Sequence, residues 1–181
     1  MFEAFGGDPE HADITVEEIA PGRYLLFGDR MQLHFNGEHI DLIHTGPAHT
    51  TGDAAVIFRG RSIVHMGDVF VSAGWAFIDH DNGGDLDGLI AFVLAILDEI
   101  EIENETFVVP GQGPVTDRAV MVSYVEDLEW PRNRIARLIA QGADFEAIVA
   151  TAPTSDLDER RGDSGMSLDR AYHSLKAAMQ P

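Results

Sequence analysis

His44-Thr45-Gly46-Pro47-Ala48-His49-Thr50-Thr51-Gly52-Asp53 is the most informative stretch of this sequence. Residues 39–44 before it and 54–58 after it carry the β-branched and apolar pattern of strands, so the stretch is predicted to be a loop between two strands. Loops held at strand ends often carry functional side chains. This loop combines chain-turning Gly and Pro with His and Asp, which are residue types that bind metals.

A hairpin is predicted on the N-terminal side of this loop. Residues 31–35 and 39–44 flank Asn36-Gly37-Glu38, and Asn-Gly between two strand-like runs is a strong short-range hairpin signal. A further short strand is predicted at residues 23–27, after Pro21-Gly22.

A second hairpin is predicted on the C-terminal side of the loop. Residues 54–58 and 62–66 flank a turn at Arg59-Gly60-Arg61. Because the strands of a hairpin run side by side, the two ends away from the turn must meet. We therefore expect His49 and Asp68 to lie at the same edge of the sheet.

The second part of the chain has a helical pattern. Apolar residues repeat at helical spacing after Asp85, a good N-cap, and predict a helix over residues 86–99. A short apolar strand follows at residues 106–109. Further helices are predicted at residues 116–141, broken or kinked near Pro131, and at 144–151 and 168–179. The order of strands, helix, strand and helices predicts an α/β or α+β class with a layered core.

Composition narrows the functional classes. The chain has 181 residues, a formal charge of −19 and no Cys, so we expect one domain, residues 1–181, with a flexible lead-in over 1–20. An acidic field repels phosphate, which argues against nucleic acid and anionic membranes as partners. The longest apolar run, residues 89–97, is too short for a membrane span, and the start lacks the pattern of a signal peptide, so a cytoplasmic location is expected.

A third loop completes the candidate site. Strand 106–109 ends at Pro110-Gly111-Gln112-Gly113-Pro114, and loops at strand ends are where α/β proteins place their sites. An imidazole and a carboxylate that converge there suit a divalent metal, with zinc first. The stretch Asp79-His80-Asp81-Asn82-Gly83-Gly84-Asp85 does not fit a calcium loop, because Gly83 and Ile90 stand where oxygen ligands are needed.

The motifs resemble those of the metallo-β-lactamase-fold metallohydrolases. The resemblance rests on His49-Thr50-Thr51-Gly52-Asp53, then Met66-Gly67-Asp68, then Val109-Pro110-Gly111-Gln112-Gly113-Pro114, in this order and at matching intervals. Three further phrases are similar to a subgroup of that family, namely Phe77-Ile78-Asp79, Gly83-Gly84…Asp87-Gly88 and Pro153-Thr154…Asp156…Asp158. The match runs from about Met31 to the end of the chain.

This resemblance implies an αββα sandwich with metal ions, usually zinc, at one edge. By the resemblance, His49 matches a terminal histidine ligand and Asp68 the aspartate that bridges two metals. Asp53 and His44 are candidates for residues that support these ligands through hydrogen bonds. His44 could also be a ligand, but a strand-end histidine bonded to backbone is the favoured interpretation. In the family, a metal-bound hydroxide attacks a small-molecule substrate.

The sequence departs from the family in two ways. The family's His-x-His-x-Asp-His run, which supplies four ligands, is absent, and Gln112 stands at the position of the last histidine ligand. A neutral amide is a poorer zinc ligand than imidazole, so zinc is expected to be weakly held or absent, and no catalytic residue is assigned. The fold is predicted as an αββα sandwich truncated at its N-terminus, with a helical C-terminal part.

Two functional hypotheses follow. The first is a metal-dependent, hydrolase-like protein of this fold with His49 and Asp68 as ligands. The second is a non-catalytic remnant that binds a partner or assembles with itself. A half sandwich leaves sheet surface uncovered, so a homo-oligomer or domain-swapped dimer is expected.

The remaining histidines and acidic runs have structural interpretations. His65 alternates with apolar neighbours and is predicted to be a core histidine, whereas His34 and His39 are predicted to face solvent across a hairpin. The runs Glu126-Asp127-Leu128-Glu129 and Asp98-Glu99-Ile100-Glu101 are predicted to be solvated helix faces.

Overall fold

The computed structural model describes residues 29–100 and 105–179, together with the backbone of two earlier strands. These strands, β1 (Val16–Ile19) and β2 (Gly22–Leu25), pair as a two-stranded antiparallel sheet. Part of the predicted flexible lead-in over 1–20 is therefore a strand, and residues 1–15 lie outside the described residues. The strand predicted at 23–27 begins one residue earlier and is described to Leu25.

The main sheet has six strands arranged in chain order. They are β3 (Arg30–Phe35), β4 (Glu38–Ile43), β5 (Ala55–Phe58), β6 (Ile63–His65), β7 (Phe107–Val109) and β8 (Thr116–Asp117). All neighbouring pairs are antiparallel except β6 and β7, which are parallel. Both predicted hairpins are confirmed.

The first hairpin turns as its sequence predicts. Asn36 and Gly37 both have positive φ, 53° and 79°, which matches the twist of the strands they join. His34 lies opposite His39, and their rings stack with centroids 4.7 Å apart. His34 is exposed, as predicted, whereas His39 is half-buried.

Five helices follow the hairpins in the described part of the chain. They are α1 (Leu86–Glu99), α2 (Arg118–Ala140), α3 (Phe145–Ala150), α4 (Asp158–Arg161) and α5 (Gly165–Ala178). Asp85, Asp117 and Asp144 cap α1, α2 and α3, and each side chain accepts the amide three residues ahead.

The helix predicted over 116–141 differs from the prediction at two points. Thr116 and Asp117 pair with β7 instead of starting the helix, because Asp117 is the cap and must be extended. The helix is also not broken at Pro131, which is buried inside α2. Buried Leu128 and Ile135 on either side of the proline anchor both halves in the same core.

The two faces of the main sheet differ. Alternate residues of β4 to β7 form the inner face, which is buried in one core with the helices; its members are Ile43, Ala55, Ile57, Val64 and Val108. The register places the other residues on an outer face: Met31, Leu33, Glu38, Ile40, Leu42, Val56, Phe58, Ile63, His65, Phe107 and Val109. None of these outer residues is buried, and Phe107 is 51% exposed.

His65 does not match its prediction, and the two acidic runs match theirs in part. Asp98, Glu126 and Glu129 are exposed, whereas Asp127 and Glu99 are not, and Glu101 lies outside the described residues. Because Val64 faces the core, the alternation of β6 directs His65 to the outer face, where it is exposed. Asp127 is only 3% exposed, because α2 turns it toward Arg160 and Arg161. Glu99 binds Arg59, so it is not simply solvated.

Within the described residues, no helix combines the length and the apolar character that crossing a membrane requires.

Candidate functional site

Three loops of the main sheet meet at one edge. Because β4 and β6 are both antiparallel to β5, and β6 is parallel to β7, the C-terminal ends of β4, β6 and β7 lie together. The loop after β4 carries His49, the turn after β6 carries Asp68, and the segment after β7 carries Gln112. The edge predicted from the second hairpin is thus formed, and His49 Nε2 lies 3.9 Å from Asp68 Oδ2.

The His49 ring is oriented by one hydrogen bond. Nδ1 lies 2.8 Å from the carbonyl oxygen of Phe77. A carbonyl oxygen only accepts, so Nδ1 carries a proton, and in the neutral ring the lone pair is on Nε2, on the side of Asp68. The side chain is 18% exposed. Metal-binding histidines are commonly held in this way.

Asp53 and His44 stabilise the loop that carries His49. The Asp53 carboxylate accepts the amide of Thr50 at 2.6 Å, and the carbonyl oxygen of Asp53 lies 2.7 Å from His44 Nδ1. His44 is thus bonded to backbone through Nδ1, as His49 is, and its role among the alternatives stays a prediction.

Two glycines let helix α1 approach the same loop. A Cβ on Gly84 would lie 2.1 Å from the carbonyl oxygen of His49, and one on Gly88 would lie 2.0 Å from that of Pro47. The backbone of residues 79–85 is bonded to the loop, with the amide of Asp79 2.9 Å from the His49 oxygen. Gly84 ahead of α1 and Gly88 in its first turn therefore let this segment pack directly against the backbone of the His49 loop.

A third glycine makes room for Asp68. Asp68 lies in a single 3-10 turn, Gly67–Val69, directly after β6. The amide of Gly111 donates to the carbonyl oxygen of Gly67 at 2.7 Å. A Cβ on Gly111 would lie 2.3 Å from Asp68 Oδ1. Any side chain at position 111 would thus occupy the space of the carboxylate.

Gln112 is at this edge through its backbone. Gln112 forms a parallel β-bridge with Val71, and its carbonyl oxygen accepts a hydrogen bond from the amide of Ser72 at 3.1 Å. Its side chain is exposed. Among the residues that the structure describes, no group of three His, Cys, Asp or Glu side chains is placed to hold a metal ion.

Arg170 of α5 packs against Phe77, the residue whose carbonyl oxygen binds His49. The guanidinium of Arg170 lies 5.3 Å from the centre of the Phe77 ring and donates to Asp81 at 2.6 Å. This hydrogen bond and the positive charge hold the pKa of Asp81 below its ordinary value. Trp75, in the same segment as Phe77, donates its indole N–H to the carbonyl oxygen of Gly162.

The sequence did not indicate several residues that build this site. Three of them, Tyr124, Arg161 and Arg170, contact residues of the 69–81 segment that lie 54 to 93 positions away in sequence, and they belong to none of the motifs above. Tyr124 and Arg161 are both buried, and their contacts behind Asp68 are described below. A buried arginine is uncommon enough to mark a site, but sequence alone does not show that Arg161 is buried.

Comparison with known proteins identifies the fold. No family model matches the sequence, and no curated protein matches it. Among solved structures, the stereoselective inverting sec-alkylsulfatase Pisa1 from Pseudomonas sp. superposes with a TM-score of 0.69 and 12% identity, over 85% of this chain and 26% of that chain.

Metallo-β-lactamases are also among the matches. The enzyme from Pontibacter korlensis gives a TM-score of 0.49 and 16% identity over 57% of this chain and 47% of its own. FIM-1 from Pseudomonas aeruginosa, solved in a mono-zinc form, gives a TM-score of 0.46 and 21% identity over 58% of this chain and 45% of its own. The chain thus spans about a quarter of the alkylsulfatase and about half of these lactamases. The superposition on the alkylsulfatase alone carries the fold: over the shared part the chain has the metallo-β-lactamase fold, which confirms the predicted fold class.

Proposed function

We propose that this chain is a hydrolase-like protein of the metallo-β-lactamase fold in which His49 and Asp68 are two ligands of a zinc site. The observation that carries the proposal is the orientation of His49. Its Nδ1 is engaged by the Phe77 carbonyl, and its Nε2 faces the Asp68 carboxylate at 3.9 Å.

The donor chemistry of this pair fits a zinc ion. Imidazole nitrogen and carboxylate oxygen are both zinc ligands, and two ligands of one ion stand about 3–4 Å apart when each is about 2 Å from it. Gly111 leaves space at the Asp68 carboxylate that a side chain would fill. Catalytic zinc sites use three protein ligands, and the described residues bring two, so hydrolysis by this part of the chain alone is not expected.

Zinc, when bound, would supply a Lewis acid and lower the pKa of its bound water. His49 would hold its lone pair ready because Phe77 fixes the other ring nitrogen. Asp68 would supply negative charge at a position that is 46% exposed and open to a small-molecule substrate. The substrate itself is not specified by these residues, because selectivity in this fold depends on loops.

Zinc binding tests the proposal. Calorimetric titration of the intact protein with zinc should give close to one site per chain, and His49→Ala or Asp68→Ala should weaken it at least ten-fold. His65→Ala is the matched control, because His65 is an exposed histidine on the neighbouring strand and faces away from the core. Equal binding by all four proteins, or none by the wild type, would refute the proposal.

Position 112 sharpens this test. Gln112→His places an imidazole where the resemblance puts the last histidine ligand, so zinc affinity should rise. An unchanged affinity would mean that this side chain does not reach the ion.

A second candidate function, self-association, is supported by the outer face of the sheet. Across β3 to β7, the described side chains on this face are apolar apart from Glu38 and His65, and Leu33 and Phe107 are 36% and 51% exposed. Apolar residues on both faces of a sheet are typical of strands covered on both sides. We propose that a second copy of this chain covers the outer face.

Sedimentation velocity over a range of concentrations tests this second proposal. The wild type should form a dimer or larger assembly, and Phe107→Asp should shift it toward monomer. Glu105→Gln is the control, because residue 105 is exposed two positions away. A wild-type monomer at every concentration would rule out self-association.

A further inference from the structure

The carboxylate of Asp68 depends on the backbone beneath it for its position. Within the described part of the chain, its side chain accepts no hydrogen bond, and the imidazole of His49 is its one ionisable neighbour within 4 Å. It lies on a single 3-10 turn with Val69, Phe70 and Val71 buried directly after it. Whatever fixes the carbonyl groups of this buried segment therefore also fixes Asp68.

Tyr124, in the middle of α2, binds the first of these carbonyl groups. Its hydroxyl donates to the carbonyl oxygen of Val69 at 3.0 Å, and the side chain is 1% exposed. The ring of Phe70 meets the Tyr124 ring edge-on, with centroids 5.0 Å apart. Burial raises the pKa of Tyr124 well above its ordinary value, so the hydroxyl remains a donor at every working pH.

Arg161, at the end of α4, binds the next carbonyl groups. Its Nη1 lies 3.3 Å from the carbonyl oxygen of Gly74 and 3.5 Å from that of Val71. Its guanidinium carbon lies 5.3 Å from the centre of the Tyr124 ring. Tyr124 and Arg161 thus form one unit against the segment that follows Asp68.

A buried acid holds this arginine in place. Asp127 Oδ2 accepts Arg161 Nε at 2.7 Å, while Oδ1 binds Arg160. Taking both charges out of water offsets most of their attraction, so a buried pair of this kind contributes little net stability compared with apolar residues. The pair matters here for geometry, because Asp127 fixes the direction in which the Arg161 guanidinium donates to the backbone carbonyl groups.

We infer that Tyr124 and Arg161 are positioning residues for Asp68, acting through the carbonyl groups of Val69, Val71 and Gly74. The inference rests on the proposed function, since it assigns to α2 and α4 the task of presenting one of its two zinc ligands. Tyr124 and Arg161 touch neither the ion nor a substrate.

Removal of one hydroxyl tests this inference. Tyr124→Phe should weaken zinc affinity at least ten-fold, the range typical of groups that support a metal ligand. Tyr172→Phe is the matched control, because Tyr172 is also a buried tyrosine, and its hydroxyl binds Lys176 on α5. Tyr172→Phe should change zinc affinity less than two-fold, even if both variants lose similar thermal stability.

A second measurement is made without zinc. Amide hydrogen exchange over residues 67–74 should accelerate in Tyr124→Phe and in Arg161→Met, and not in Tyr172→Phe. Equal zinc affinities and equal exchange in Tyr124→Phe and Tyr172→Phe would overturn the inference while leaving the zinc site intact. Loss of zinc binding in the wild type would refute the proposed function, and the exchange data would still show whether these residues fix the Asp68 segment.

Discussion

The inner and outer faces of the main sheet are built from similar residues but have different surroundings. Val64 and Val108 on the inner face are fully buried in one core with the helices, whereas their strand neighbours Ile63 and Phe107 are half-buried and exposed. The inner face also carries a buried charge, Asp41, with its own partners. The two faces differ in burial although their residue types are similar, so the difference must come from what packs against each face. Substitutions on the inner face should therefore lower the free energy of unfolding more than substitutions on the outer face.

The largest effect is expected where the inner face buries a charge. Arg59 Nε donates to Asp41 at 2.7 Å, and its Nη2 donates to Glu99 at 2.8 Å. Arg59→Met keeps the apolar stem but leaves Asp41 short of a partner, which should lower the free energy of unfolding by about 3 kcal/mol. Urea denaturation at neutral pH measures this.

Arg61 is the matched control for Arg59. Both arginines lie in the 3-10 turn Arg59–Arg61 between β5 and β6. Arg61 pairs with Glu38, and its side chain is 65% exposed. An exposed pair contributes less than about 1 kcal/mol, so Arg61→Met should be nearly neutral. Similar losses in both variants would mean that Asp41 does not need Arg59.

The next largest loss of stability is expected at β7, where two adjacent residues lie on opposite faces of the sheet. Val108→Ala deletes fully buried inner-face atoms and should cost about 2 kcal/mol. Phe107→Ala removes a larger side chain from the outer face and should cost less than about 1 kcal/mol in the monomer, because that side chain is half exposed already. Urea denaturation at low protein concentration gives both values. A larger loss for Phe107→Ala would show that the outer face is covered.

The smallest effect is a change with pH. Burial alone would raise the pKa values of Asp41 and Glu99, but their hydrogen bonds to Arg59, assisted by Gln32 and His39 at Asp41 and by Arg30 at Glu99, outweigh burial and lower both. The folded state thus holds these protons more weakly than the unfolded state. This stabilisation is present above the ordinary carboxyl pKa values, near 4, and is lost as the pH falls through the lower folded values.

Denaturation curves between pH 7 and pH 3 test this sign. The wild type should lose stability most steeply below about pH 4 to 5, and Arg59→Met should show a shallower decline. A parallel decline in the two proteins would contradict the assigned cause.

Sequence patterns predicted the local elements correctly. They failed for side chains whose burial is determined by contacts with residues far away in the chain. The Asn36-Gly37 turn, both hairpins and the Asp85 cap of α1 depend on neighbouring residues, so their positions could be predicted. His65 and Asp127 could not be placed, because burial on one face depends on elements far along the chain: the helices that cover Val64, and α4 for Asp127.

For the candidate site too, some features could be predicted from the sequence and others could not. Antiparallel hairpin geometry alone predicted that His49 and Asp68 share an edge. The Phe77 carbonyl at His49, the space left by Gly111 and the donors Tyr124 and Arg161 involve sequence separations that no single sequence reveals without an alignment or a structure.

The parallel pairing of β6 with β7 affects the order in which parts of the candidate site form during folding. It joins Val64 to Val108 and encloses the Asp68 turn and all of α1 between the paired strands. Pairings between distant residues form slowly, because loop entropy is lost before the contacts compensate for it. The hairpins should therefore appear early in folding, and the meeting of Asp68 with Gly111 should be among the last events. Zinc added during refolding should bind in the slowest phase.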